Sequence, residues 1–139
     1  MSFFEESSNK TLQESFIGCL ICTIYLDGEA TDEEIEFMVQ GYHGRSIFTG
    51  FDTQSALRRQ IMRRATDDSE SILKECCAGI TEEWKPTVFA TCCDLVFKDN
   101  VITNEERLFL KRVKDYLQIP DDTANKILDV MMILYKGKI

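Results

Sequence analysis

The stretch Asp27-Gly28-Glu29-Ala30-Thr31-Asp32-Glu33-Glu34 recurs 72 residues later as Asp99-Asn100-Val101-Ile102-Thr103-Asn104-Glu105-Glu106. Asp27, Thr31, Glu33, Glu34 and Phe37 meet their own kind at Asp99, Thr103, Glu105, Glu106 and Phe109. Gly28 stands opposite Asn100, and these are the two residue types that best tolerate a left-handed backbone. In each copy an apolar run of helical period ends at the turn, and Thr followed three residues later by Glu opens a second helix. That spacing is a capping box, in which the hydroxyl accepts the N3 amide and the carboxylate reaches back to the cap amide. The chain is thus constrained to a helix-turn-helix unit used twice, over about residues 11–43 and 83–118.

The remaining segments repeat apolar residues every three or four positions, and none alternates like a strand between hairpin turns. The expected fold is all-α, a compact bundle of about seven helices with a pseudo-twofold repeat, in a single domain over residues 1–139. The first helix, from Thr11, is apolar nearly all round through Leu12, Phe16, Ile17, Leu20, Ile21 and Ile24, which places it at the centre. A second, from about Asp32, carries Phe37, Met38 and Tyr42, and residues 44–51 read as a loop. Asp52 can cap a third helix, with Met62 on its apolar strip, and Asp67 or Asp68 a fourth. Pro86 suits the start of a fifth, Pro120 breaks the sixth, and a seventh from near Asp122 is expected to bury Ile127, Val130, Met131 and Leu134.

The charge balance narrows the function classes. Lys and Arg number 16 against 24 Asp and Glu, a formal net charge of −8, which disfavours nucleic acid and favours cations or a basic protein surface. The most apolar run, Phe16 to Leu26, is about half the roughly 20 residues a membrane crossing needs, so no direct membrane insertion is expected. No leader-like pattern opens the chain, and a cytoplasmic location is the expectation.

The turns invite comparison with a calcium loop. Asp27, Gly28, Ala30 and Glu34 would fill loop positions five, six, eight and twelve, but positions one and three then fall on Thr23 and Tyr25, and on Leu95 and Phe97 in the second copy. An ordinary EF-hand is rejected. A looser oxygen shell for calcium, magnesium or manganese stays open, with Asp27, Glu29 and Glu34 in the first turn and Asp99 and Glu106 in the second. The competing reading makes the same carboxylates helix caps and braces of the turn.

Six cysteines raise the question of zinc, yet Cys19 and Cys22 lie inside an apolar helical run rather than on a knuckle-like turn, and packing is the expected role. His43 is the lone histidine, which removes HExxH proteases and any two-histidine site. No phosphate-binding glycine loop and no GxSxG appears, and no catalytic residue is assigned. Arg58, Arg59, Arg63 and Arg64 form the dense positive patch of the third helix. Either Asp52, Asp67 and Asp68 neutralise it, or it docks a protein partner or another copy of the chain.

The paired acidic turns, each after an apolar helix, together with the Leu117-Gln118-Ile119-Pro120 break, resemble the TerB-like family, named for a tellurite-resistance protein. The resemblance implies a compact helical domain without catalytic activity, linked to tellurite resistance and wider stress responses, with acidic clusters for metal ions or partners. Carried across, that role falls on Asp27, Glu34, Asp99 and Glu106. The second turn departs from the pattern at Asn100 and Val101, so it is expected to hold a cation more weakly. The leading expectation is a binding module for a divalent ion or a basic partner. A metal-free scaffold docking through the arginine helix is the alternative, and a thiol redox sensor is the third.

Overall fold

The computed structural model describes residues 3–27, 30–43, 45–98 and 101–136, without the side chains of residues 3–10, Asp27, His43 and Ser46. Among these residues there are seven α-helices and no strand: α1 Phe3–Ile24, α2 Asp32–His43, α3 Thr53–Arg63, α4 Ser69–Ala78, α5 Lys85–Lys98, α6 Asn104–Leu117 and α7 Asp121–Leu134. Short 3-10 turns lie at Tyr25–Asp27, Ser46–Phe48 and Glu82–Trp84.

Apolar on nearly every side, α1 has no polar face to give to water and becomes the axis of the bundle. Phe16, Ile17, Cys19, Leu20 and Ile21 are fully buried, and α2, α3, α4 and α5 all pack on it. It begins at Phe3, well before the expected Thr11; a helix once nucleated adds one bond for each further residue fixed. Two glycine positions let α4 come close. A Cβ on Gly18 would stand 2.3 Å from Cys76 Sγ, and one on Gly79 would stand 2.1 Å from Ser15 Oγ.

Cap chemistry sets the helix starts. Asp52 accepts the Ser55 amide at 3.1 Å and Asp68, rather than Asp67, accepts that of Ser71 at 2.9 Å. The segment read as a loop contributes to the core: Phe48 is buried with its ring 5.5 Å from that of Phe16, and Gln13 Nε2 donates to the Ile47 carbonyl at 2.6 Å. After α6 the chain reverses through Gln118 in the left-handed region, φ 57°, with the Ile119 amide bonded to the Lys114 carbonyl and that of Gln118 to Asp115.

The two helix-turn-helix units, α1–α2 and α5–α6, do not bury equivalent faces. Phe37 is 78% exposed, whereas its counterpart Phe109 is 4% exposed. On α2 the buried stripe is Ile35, Val39 and Tyr42; on α6 it is Phe109, Leu110, Val113 and Leu117. At about 100° per residue the two stripes differ by roughly a third of a turn of the helix. α2 docks on α1 and α3, and α6 on α4 and α5, so unlike neighbours select unlike faces.

Met62 also lies outside the core, as do two residues expected inside α7: Val130 is 57% and Leu134 64% exposed. α7 packs chiefly on α5, so only the stripe through Ala124, Ile127, Leu128 and Met131 has a neighbour to press against. No described helix is long and apolar enough to cross a membrane.

Candidate functional site

At the start of α2, Thr31 Oγ1 accepts the Glu34 amide at 3.2 Å and its hydroxyl donates to Glu34 Oε1 at 3.1 Å. At the start of α6 the reciprocal box closes: Thr103 Oγ1 accepts the Glu106 amide at 3.1 Å, and the Thr103 amide donates to Glu106 Oε1 at 2.9 Å. Each carboxylate thus commits one oxygen to its cap, and the second oxygen has no protein partner among the described residues. Capping and cation ligation are therefore compatible at both positions.

Among the described residues no group of three or more carboxylates, thiols or imidazoles could hold a metal ion. The Asp27 side chain, Glu29 and Asp99 lie outside the described residues, so of the expected oxygen shell only Glu34 and Glu106 are placed. Tyr25 braces the first turn, donating its hydroxyl to Asp32 Oδ1 at 2.8 Å. Lys98, next to the second turn, donates to the Tyr42 hydroxyl at 3.1 Å.

The arginine helix is less free than its composition implies. Arg59 forks onto Glu14 through Nε at 3.1 Å and Nη2 at 2.6 Å, and Gln60 adds a bond to the same carboxylate at 2.9 Å. Burial by itself would raise the Glu14 carboxyl, but the bonds from Arg59 and Gln60 outweigh it and hold it below the ordinary value. Arg63 pairs with Glu75 at 2.5 Å and Asp67 at 3.4 Å, and Arg64 lies 4.1 Å over the Tyr25 ring with its Nη1 buried and without a hydrogen-bond partner among the described residues. Of the aspartates expected to neutralise this patch, Asp67 pairs with Arg63 while Asp52 and Asp68 serve as helix caps, and Glu14 and Glu75 supply the remaining carboxylates. Arg58 makes no direct ion pair among the described residues, though its charge acts on the Asp52 carboxylate. Between α1, α3 and α4 lies a cavity of about 370 Å³ with Glu14, Gln60, Arg63, Glu75 and Cys76 in its wall.

All six cysteines are buried, as packing requires. Cys19 Sγ lies 4.0 Å from Cys77 Sγ, and Cys92 Sγ 4.0 Å from the Cys19 carbonyl. Burial pushes the thiols of Cys22, Cys76 and Cys92 up to about 12, away from the thiolate that nucleophilic or redox chemistry uses.

A polar cluster that sequence reading missed joins α2, α5 and the end of α7. Asp94 accepts the Tyr42 hydroxyl at 2.7 Å and the Tyr135 hydroxyl at 2.5 Å, and pairs with Lys98 at 3.0 Å. Burial opposes ionisation of Asp94, but the bonds from Tyr135, Tyr42 and Lys98 prevail and keep its carboxyl below the usual range. Burial and the bond to Asp94 push the Tyr135 phenol up to about 12. The partners are 52 and 41 residues away, so no local spacing signals the cluster.

Asp94→Ala is expected to cost about 2 kcal/mol at neutral pH, the scale of lost charge-assisted bonds. Because the folded carboxyl is depressed, this stability is present above the unfolded value of about 3.9 and disappears as pH falls through the folded one. In urea titrations from neutral pH downward the gap between the two proteins should therefore begin to narrow as pH falls below about 4; a gap independent of pH would show that the loss is packing alone.

Compared with known protein families, curated proteins and solved structures, the chain has no match.

Proposed function

We propose that the protein is a non-catalytic binding module of the TerB-like kind, acting in a cytoplasmic stress response, whose acidic turns take a divalent cation. The observation that carries this reading is the doubled cap: Thr31 with Glu34 and Thr103 with Glu106 fix a carboxylate at each turn while leaving one oxygen without a partner among the described residues. The net charge of −8 favours cation uptake at any such point. Asp27 and Glu29 would complete the first shell and Asp99 the second, with calcium, magnesium or manganese as the ion. Docking through the arginine helix is the weaker alternative, because Glu14 and Glu75 already occupy Arg59 and Arg63.

Thermal unfolding of chelator-treated protein, with each ion added separately, tests the reading. An ion bound only by the folded state stabilises it by about 2.7 kcal/mol at a hundredfold excess over its Kd. The gain is expected to vanish in an Asp27→Asn, Asp99→Asn double variant. No shift with any of the three ions would refute the cation role and leave the carboxylates as caps.

A further inference from the structure

Arg107, Lys111 and Lys114 recur at spacings of four and three along α6 and share one face of it. That face forms the rim of a cavity of about 270 Å³ between α5, α6 and α7, floored by Phe89, Phe97 and Leu128. The cavity exists because α7 packs on α5 and leaves α6 largely uncovered on that side. Lys114 is neutralised by Asp121 at 2.6 Å, but Arg107 and Lys111 have no ion-pair partner among the described residues. Like charges four residues apart repel along a helix, a cost that a bound anion would reverse.

The repeat makes the arrangement sharper. The positions equivalent to Arg107, Lys111 and Lys114 in the first unit are Ile35, Val39 and Tyr42, all buried. Where the first unit fills its groove with its own apolar side chains, the second sets three cations around an apolar hollow. Convergent polar groups on an otherwise apolar cavity are the usual form of a small-molecule site, and about 300 Å³ is the lower end of the range for drug-sized ligands.

We propose that this cavity binds a small amphipathic carboxylate, its alkyl or aryl part against Phe89, Phe97 and Leu128 and its head on Arg107 and Lys111. A guanidinium fork donates two parallel bonds to a carboxylate, and the neighbouring ammonium adds a second charge. A cation is repelled by the rim, and a neutral polar ligand gains nothing from the floor.

Sodium octanoate is the probe, followed by amide NMR shifts in the presence of chelator, so that the outcome is independent of the cation reading. Saturable shifts are expected around Phe89, Ile102, Leu110 and Leu128, with octanoate binding at least about tenfold tighter than octan-1-ol or octylammonium. An Arg107→Ala, Lys111→Ala variant should lose that advantage while keeping its affinity for octan-1-ol. Leu128→Trp, which fills the hollow from the α7 side, should block both. Absence of saturable shifts at millimolar octanoate, equal binding of the three probes, or indifference to the double variant would overturn the proposal.

Discussion

Phe16→Ala is expected to lower the unfolding free energy by about 3–5 kcal/mol, the cost of an emptied aromatic site in a packed core. Phe16 is fully buried at the middle of α1, and its ring carries that of Phe48, which in turn lies 6.3 Å from Phe51. Truncation removes apolar burial and also the surface on which residues 46–51 are seated. Against a typical total of about 5–15 kcal/mol, such a loss brings the domain close to its threshold. Urea unfolding should show a lower midpoint at an unchanged slope. Phe37→Ala is the control, since a side chain 78% exposed should cost no more than about 0.5 kcal/mol. Equal losses at the two positions would contradict the placement of α1 at the axis.

Gly18→Val is the second large effect, expected at about 3 kcal/mol. Its Cβ alone would lie 2.3 Å from Cys76 Sγ, 3.1 Å from Gln60 Oε1 and 3.4 Å from Cys76 Cβ, and the two methyls come on top of that. Replacing glycine in a helix normally gains up to about 1 kcal/mol, so the sign of the result separates propensity from packing. The pairing can be tested directly. Cys76→Ala removes the nearest atom, and Gly18→Ala should cost clearly less in that background than in the native one. At Gly41, where a Cβ meets nothing within 4 Å, alanine should instead stabilise the protein by about 0.5–1 kcal/mol. Additive effects at Gly18 and Cys76 would mean that α1 and α4 do not approach as described.

The unlike environments of Phe37 and Phe109 bear on how the doubled motif is read for function. Identity at five positions placed a Thr–Glu cap at the start of the second helix in both units, yet those helices are docked against different neighbours. A site inferred by copying one unit onto the other would have missed the cationic stripe of α6, because its counterpart on α2 is apolar and buried.

Local chemistry was enough to determine the all-α class, the axial role of α1, the starts of α3 and α6 at Asp52 and Thr103 and that of α4 to within one residue, and the burial of the six cysteines. Each depends on residues three or four apart, or on a helix having no polar face to expose. Tertiary structure alone decided that Arg59 meets Glu14 across 45 residues, that Asp94 collects Tyr42 and Tyr135, that Val130 and Leu134 stay outside the core, and that three cations surround a hollow. Those outcomes follow from how closely and at what rotation the helices pack. Contacts such as Gly18 on Cys76 and Ser15 on Gly79 set the approach of α1 and α4, and no residue's own neighbours in the chain contain that information.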